Sequence, residues 1–153
     1  EYLLAQRSKP PAEGTWSLPG GRIEPGETVL AAAAREVAEE TSLTAAEGLR
    51  FHPWAIGTTD AIFPQGPRDD GAPLEFHYVL AQMFAFLTEQ EAVAVRGDDA
   101  AALRWCSLEE VESGRLPFSG SVSSVLRRAE VLLAAGALRP EDCAAVVPRS
   151  PPL

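Results

Sequence analysis

The pattern of apolar and polar residues along the chain predicts several strands separated by turns. The segments with strand character are residues 1–8, 15–18, 22–24, 49–63 and 101–106. The strongest run, residues 74–87, is apolar on both faces, which is typical of a central strand that is covered on both sides. Such a strand predicts an α/β fold with layers in the order α/β/α around a mixed sheet.

Three segments have apolar residues at helical spacing, namely residues 29–40, 108–112 and 121–135. Thr28 has the side chain of an N-cap for the first helix, and Gly136 marks the end of the last. The Pro-rich tail, residues 139–153, carries a short predicted helix around residues 141–146.

Two polar stretches rich in turn residues separate these elements. Residues 64–73 contain three prolines and two glycines, so they predict a loop whose length suits a lid or a hairpin tip. Residues 88–99 are acidic and polar and predict a second loop. The sequence has neither an internal repeat nor a second apolar core. We therefore expect a single domain over residues 1–153.

Composition and charge argue against several classes of protein. The net charge of −9 disfavours a nucleic-acid partner, because such surfaces usually carry a basic patch. No apolar run approaches the ~18 residues of a membrane span, so no membrane partner is expected. Cys106 and Cys143 lack the spacing of metal ligands, and two free thiols favour the cytoplasm. Because Glu1 lies inside an apolar stretch, we expect further residues before it.

Three glutamates are crowded near the end of the first predicted helix. Glu36 and Glu40 are one turn apart and share a face, and Glu39 lies beside them. Their charges repel one another, and a hard divalent cation that prefers oxygen ligands would compensate them. Arg35 precedes Glu39 by four residues, so these two can form an ion pair along the helix.

The stretch from Gly20 to Leu43 resembles the Nudix box, G-x5-E-x7-R-E-U-x-E-E-x-G-U, in which U is aliphatic. The matching positions are Gly21, Glu27, Arg35, Glu36, Val37, Glu39, Glu40 and Leu43. The lead-in 16–21 and the later segment 98–105 are also similar to the family, which extends the resemblance to about residues 1–130.

Ser42 stands where the pattern has glycine. Glycine past a helix end usually adopts the left-handed conformation, so either serine costs on the order of 1 kcal/mol there or the helix ends differently, and the expected effect is on stability and not on activity.

The resemblance implies a hydrolase with the Nudix α/β/α sandwich and its loop–helix–loop motif. Its reaction would cleave the pyrophosphate bond of a nucleoside diphosphate linked to another group. The family binds Mg2+ or Mn2+ on its box. Carried over to this chain, the metal-binding residues are Gly20 (through its carbonyl), Glu27, Glu36, Glu39 and Glu40. The implied catalytic residues are Arg35, Glu36 and Glu39, with Arg35 holding a carboxylate in place. The residues expected to contact substrate are Arg7, Gly21 and Arg22.

The resemblance does not decide which carboxylate accepts a proton from the attacking water. Some family branches use a box glutamate, for which Glu36 or Glu39 would serve. Others use a glutamate from a distant loop, where this chain has Glu89 and Glu91. Many relatives have a glutamate at the position of Ala102, and its absence here argues against an acid at that position.

The resemblance is strongest to small bacterial-type ADP-ribose pyrophosphatases, which release AMP and ribose 5-phosphate. The alternative is a MutT-like pyrophosphatase that acts on (oxidised) nucleoside triphosphates. A second alternative is a Nudix-fold nucleotide-binding or regulatory module without catalysis, against which the intact glutamates argue. Many relatives are homodimers, so a homodimer is the expected assembly.

The remaining aromatic and imidazole side chains have ordinary structural explanations. His52 and His77 are expected in structural or surface positions, although His77 lies in the strongest predicted strand and could face the site. Trp16 and Trp105 are expected in the core or at a sheet edge, with stacking on a nucleobase as the alternative.

Overall fold

The computed structural model describes residues 1–9, 12–64, 73–97 and 100–147 of the chain. The strands in this part are β1 (Tyr2–Arg7), β2 (Trp16–Ser17), β3 (Leu49–Phe51), β4 (Gly57–Pro64), β5 (Leu74–Gln82), β6 (Ala85–Leu87) and β7 (Ala100–Cys106). The helices are α1 (Val29–Thr41), α2 (Leu108–Glu112) and α3 (Val122–Ala134). None of the helices in these ranges is long and apolar enough to cross a membrane.

The described strands form three sheets with antiparallel pairing. β1 is the middle strand of the largest sheet, between β2 and β7. β3 pairs with β6, and β4 pairs with β5. A parallel bridge between Trp16 and Phe118 adds the chain that follows α2, and this bridge gives the strand pairing its mixed character.

The middle strand β1 is covered by helices on both faces. Leu4 is fully buried and packs in a cluster with Val122 and Leu126 of α3. The next side chain along the strand, Leu3, packs on the cluster that contains Ala34 of α1. Since successive strand side chains alternate between faces, α1 and α3 lie on opposite sides of the sheet. The predicted α/β/α layering is confirmed, and burial of a leucine such as Leu4 contributes about 1.5–3 kcal/mol.

The long strand predicted at residues 74–87 is two strands, and the prediction is only partly right. In β6, Phe86 packs on the α3 side while Ala85 and Leu87 pack on the α1 side, so this piece is covered on both faces. β5 instead forms a two-stranded hairpin with β4, and Val79 in its middle is 71% exposed. A strand with apolar residues on both faces can be covered on both sides or can belong to an exposed hairpin, and the sequence pattern does not distinguish the two. The prediction of a central, covered strand is therefore wrong for β5.

Other sequence predictions differ in how well they agree with the structure. The predicted helices at 108–112 and 121–135 are confirmed to within one residue at each end. The brief strand predicted at 22–24 is wrong, because these residues form the loop that leads to α1. Most of the predicted loop 64–73, together with residues 98 and 99, lies outside the described residues.

The C-terminal tail is held by the chain's own sheet. The predicted helix at 141–146 is wrong, and a 3-10 turn at Pro140–Asp142 takes its place. Beyond that turn, Ala144 exchanges two backbone hydrogen bonds with Phe51 of β3, at 2.8 and 2.9 Å. These bonds fix the tail on the domain at Ala144.

Candidate active site

Helix α1 is partly covered by the core, and its glutamates differ in exposure, since the Glu36 side chain is 16% exposed and the Glu39 side chain 60%. Ala34 packs into the core beside Leu43. Ala32, one turn before Glu36 and therefore on the same side as that glutamate, is buried as well. The helix begins at the predicted cap, where Thr28 Oγ1 accepts a hydrogen bond from the backbone N–H of Ala31 at 3.1 Å. This bond satisfies one of the free N–H groups of the first turn and fixes where the helix starts.

Arg35 joins the box loop to α1 through hydrogen bonds from all three of its guanidinium nitrogens. Two of them reach the Glu27 carboxylate, from Nε at 3.0 Å and from Nη2 at 3.1 Å. Nη1 donates to Glu36 at 2.9 Å and to Glu39 at 3.3 Å, and the second bond is the ion pair expected from their spacing. Nη2 also donates to the backbone carbonyl of Arg22 at 2.9 Å. One guanidinium therefore fixes three carboxylates and the loop backbone together.

Part of this network is buried, and the pKa values of Arg35 and Glu27 are shifted. The exposed fractions of the side chains are 18% for Arg35, 10% for Glu27 and 16% for Glu36. Hydrogen bonds from Arg35, and secondarily from the backbone N–H of Glu24, hold the pKa of Glu27 below its ordinary value. The bonds to Glu27, supported by Glu36, raise the pKa of Arg35. Both shifts favour the charged forms of Arg35 and Glu27, so this pair stays ionised at neutral pH.

Gly21 makes room for the Glu36 carboxylate. A Cβ built on Gly21 would collide with both carboxylate oxygens of Glu36. Only a residue without a side chain lets the loop backbone approach the helix so closely. The glycine of the box therefore leaves space for the carboxylate that Arg35 binds.

The end of α1 has the left-handed geometry that the family pattern reserves for glycine. Ser42 adopts φ 58° and ψ 10°, and its backbone N–H donates to the carbonyl of Ala38 at 2.9 Å. Thr41 just before it is fully buried, and its hydroxyl donates to the carbonyl of Val37 at 2.6 Å. The helix therefore keeps its usual ending despite the serine, at the expected cost in backbone strain.

Residues 95–97, in the loop between β6 and β7, bind the same end of α1. Val95 donates its backbone N–H to the carbonyl of Thr41, and Gly97 donates to the carbonyl of Glu40, both at 2.9 Å. A Cβ at Gly97 would collide with the carbonyl oxygen of Glu39. Residues 95–97 thus satisfy two carbonyls that a helix end leaves free, directly beneath two of the predicted metal-binding residues.

The donor chemistry of this site fits a hard divalent cation. Carboxylate oxygens on one helix are the ligands that Mg2+ and Mn2+ prefer. Within the described residues, however, no three carboxylate, imidazole or thiol groups lie close enough together to hold a metal ion. Glu36 and Glu39 are both bound to Arg35, which keeps them near each other on one side of the helix. The metal-binding roles of Gly20, Glu36, Glu39, Glu40 and Glu27 therefore stay a prediction.

The predicted substrate-contacting residues lie in two places. Arg22 and Gly21 belong to the loop that contacts Arg35 and Glu36, and Gly20 is exposed beside them. Arg22 extends from this loop to the hairpin, where its Nη2 lies 3.5 Å from the hydroxyl of Tyr78. Arg7 ends β1 and is paired with β7, so it belongs to the main sheet and not to the box loop.

The structure also shows where the other candidate side chains from the sequence lie. His77 bonds Asp60 on the hairpin at 2.8 Å and is a surface residue, as expected. Trp16 is buried in the core as expected, and Trp105 is partly exposed on β7. Glu89, one of the loop glutamates considered as a base, lies against Gly48 before β3.

Sequence reasoning missed Gly97 and Tyr78 as neighbours of the site. A single glycine ahead of two aspartates carries no signal of a contact with a helix some 57 residues earlier in the chain. Tyr78 lies in the stretch 74–87, whose apolar pattern predicts a strand covered on both faces and therefore gives no indication of an exposed ring beside the box loop.

A family model described as the NUDIX domain matches residues 1–135. An 8-oxo-dGDP phosphatase of Mus musculus is 54% identical over 43 residues, which are 28% of this chain and 13% of that protein. A putative 8-oxo-dGTP diphosphatase of Bacillus subtilis is 32% identical over 117 residues, covering 76% of this chain and 61% of the relative. An ADP-ribose pyrophosphatase of Methanocaldococcus jannaschii is 51% identical over 43 residues, 28% of this chain and 25% of that protein.

Among solved structures, a C. elegans Ap4A hydrolase binary complex has a TM-score of 0.64 and 25% identity. The match covers 87% of this chain and 85% of that structure. The two matches of 43 residues span 13% and 25% of those relatives, so most of the length of each relative lies outside its match. The family match, by contrast, covers most of the chain and agrees with the α/β/α layers and the loop–helix–loop of residues 20–43. The chain belongs to the NUDIX family and has the Nudix fold.

Proposed function

We propose that this domain is a metal-dependent Nudix pyrophosphohydrolase that cleaves a nucleoside diphosphate linked to another group. The observation that carries the proposal is the network of Arg35. It holds Glu27, Glu36 and Glu39 against the loop backbone at Arg22, within a sequence that keeps the box spacing. A solvated acidic helix end would need no such arrangement, since exposed glutamates are stabilised by water alone.

The chemistry required of the site follows from the substrate's charge. A pyrophosphate bridge repels an attacking hydroxide, so the site must supply positive charge and activate water. A divalent cation, held by Glu36, Glu39 and Glu40 with the Gly20 carbonyl, would offset the charge and make a water molecule more acidic. Nudix hydrolases generally use divalent cations, and Mg2+ or Mn2+ suits these oxygen ligands.

The chain's own residues then orient the carboxylates and accept the proton. Arg35 fixes the direction in which Glu36 and Glu39 present their oxygens, and Glu27 holds Arg35 with a pair of hydrogen bonds. Glu36 or Glu39 is the carboxylate proposed to accept the proton of the attacking water. Arg22 is the arginine proposed to contact a substrate phosphate, because its backbone is bound to the same network.

Two substrates are proposed, and the relatives support them unequally. ADP-ribose, which would give AMP and ribose 5-phosphate, is supported by the pyrophosphatase match, which extends over only 43 residues or 28% of this chain. An oxidised deoxynucleoside triphosphate is supported by a match of 117 residues that extends well beyond the box. Because residues outside the box select the substrate, the longer match gives the second substrate the broader support.

A substrate panel separates these proposals. The protein is incubated with Mg2+ or Mn2+ and, in turn, with ADP-ribose, diadenosine tetraphosphate, sugar nucleotides, dGTP and 8-oxo-dGTP. AMP released from ADP-ribose supports the first substrate, and pyrophosphate released from 8-oxo-dGTP supports the second. Tight binding without turnover of any compound would contradict the proposed hydrolysis and support a Nudix-fold binding module. Omitting the metal is the control, and activity that persists in chelator would contradict the metal-dependent reaction.

A further inference from the structure

The β4–β5 hairpin carries three aromatic side chains on the face that meets the box loop. We propose that Phe63, Phe76 and Tyr78 form the surface on which the purine base of the substrate stacks. This inference rests on the proposed function, because it assigns a base-binding surface to the same site.

The register of the hairpin puts these rings together. Phe63 is paired with Phe76 and Ala61 with Tyr78, and residues directly opposite one another in an antiparallel pair share a face. The rings of Phe76 and Tyr78 stack with centroids 5.6 Å apart and an interplanar angle of 17°. Phe63 meets Tyr78 edge-on at 6.3 Å. The rings thus form one continuous aromatic surface, with only the small Ala61 beside Tyr78.

This surface is exposed although it is strongly apolar. Phe63 is 38% exposed and Phe76 is 46% exposed. Exposed rings of this size cost free energy in contact with water unless something covers them. A nucleobase is a suitable cover, because its planar face stacks on aromatic rings and needs no hydrogen bonds to do so.

Continuity with the Arg35 network indicates which ligand covers the rings. The Tyr78 hydroxyl lies 3.5 Å from Nη2 of Arg22, whose carbonyl accepts a hydrogen bond from Arg35. Arg35 in turn holds Glu36. Arg22 therefore connects the aromatic surface to the Arg35 network, through its side chain at Tyr78 and its backbone carbonyl at Arg35. A nucleotide matches this order, with an apolar base at one end, phosphates beside an arginine, and the reacting bond at the carboxylates.

The opposite face of the hairpin has a different character and supplies the control. It carries the Asp60–His77 pair at 2.8 Å and the exposed side chain of Val79. Val79 is adjacent to Tyr78 in sequence but points away from the Arg22 side, because strand side chains alternate. A change at Val79 tests the integrity of the hairpin without touching the proposed base surface.

The test compares ligands with and without a base. Binding of AMP, GMP and ribose 5-phosphate in Mg2+ is measured by calorimetry for the wild type, Phe76→Leu, Tyr78→Leu, Tyr78→Phe and Val79→Ala. Each leucine variant should weaken the better-bound purine nucleotide about tenfold, while the Kd of ribose 5-phosphate is unchanged. Val79→Ala should bind like the wild type. Tyr78→Phe keeps the ring and loses only the hydroxyl beside Arg22, so it should keep the wild-type preference for the purine nucleotide over ribose 5-phosphate. If Tyr78→Leu does not fold, Phe76→Leu at its exposed position decides alone.

The possible results separate this inference from the proposed function. An equal loss for ribose 5-phosphate, or no loss for either purine nucleotide, overturns the base surface, and turnover in the substrate panel would then leave the hydrolase proposal standing. Ring-dependent nucleotide binding without turnover of any compound supports the base surface and overturns the hydrolase. Wild-type protein that binds ribose 5-phosphate as tightly as AMP and GMP also overturns the base surface.

Discussion

Helix α1 and the β4–β5 hairpin border the same site but are stabilised in opposite ways. On α1, charged side chains are partly buried, and Arg35 binds three carboxylates at once. On the hairpin, apolar side chains are exposed, and its two faces bear rings on one side and Val79 on the other. Charged groups that leave water need partners at fixed positions, whereas stacking surfaces need only a flat apolar face.

This difference explains why one region obeys a strict sequence pattern and the other does not. On α1, Glu36 and Glu39 depend on specific partners, since Arg35 binds both and Gly21 leaves room for Glu36. In the hairpin, many combinations of aromatic and aliphatic residues would make an equivalent surface. We therefore expect the chemistry to be encoded in the helix and the choice of substrate in the hairpin.

The largest effect is expected from removing a charge from the helix. Glu40→Gln should lower kcat more than about 100-fold, because it removes a proposed metal-binding oxygen without changing the shape of the side chain. Steady-state rates at saturating Mg2+ and the melting temperature are the measurements. Glu109→Gln, on the exposed part of α2, is the matched control and should keep its rate. Near-normal turnover of Glu40→Gln would sink the metal assignment.

Arg35→Lys tests whether the guanidinium network orients the carboxylates. Lysine keeps the charge but cannot bind Glu27, Glu36 and Glu39 in fixed directions, so kcat should fall about 10–100-fold. Arg127→Lys, which alters an exposed pair with Glu112, is the control and should change neither rate nor stability. Equal activity of both lysine variants would show that only the charge of Arg35 matters.

The loop that closes α1 is tested by adding one methyl group. Gly97→Ala should lower the free energy of unfolding by about 1–3 kcal/mol, because the new Cβ collides with the Glu39 carbonyl. Urea denaturation measures the loss. A Cβ at Gly120 meets no atom within 4 Å, so Gly120→Ala should stay within about 0.5 kcal/mol of the wild type. Similar stabilities for the two variants would mean that the loop adjusts freely.

The smallest effect is expected where the box departs from its pattern. Ser42→Gly should raise the free energy of unfolding by about 1 kcal/mol and leave turnover intact, since it relieves a left-handed serine without touching a carboxylate. Ala12→Gly relieves the same strain at φ 61°, outside the box, and should give a similar gain. A large change in rate for Ser42→Gly would show that this position contributes to the chemistry.

Local patterns predicted the elements whose signals lie within a few residues. The cap at Thr28, the span of α1 and the two later helices follow from spacing and capping chemistry and agree with the structure. The Arg35–Glu39 pair likewise follows from its i,i+4 spacing. In these cases the partners are close in sequence, so one chain segment contains the whole interaction.

Features that depend on distant partners were not predicted. The break of 74–87 into β5 and β6 depends on which strands meet them, and the apolar pattern is the same in both. The contact of Gly97 with the end of α1 joins residues far apart in sequence. The hydrogen bond from Arg35 to the backbone carbonyl of Arg22 was also not predicted, because a backbone contact does not depend on the type of side chain.

The bridge between Ala144 and Phe51 has a consequence for association between molecules. β3 has β6 on one side, and without the tail its other backbone edge would offer free N–H and C=O groups. Such an edge is a template for pairing with a strand of another molecule, which leads to aggregation. Ala144 therefore occupies the backbone groups of Phe51 and leaves less of this short edge for a neighbouring molecule to pair with.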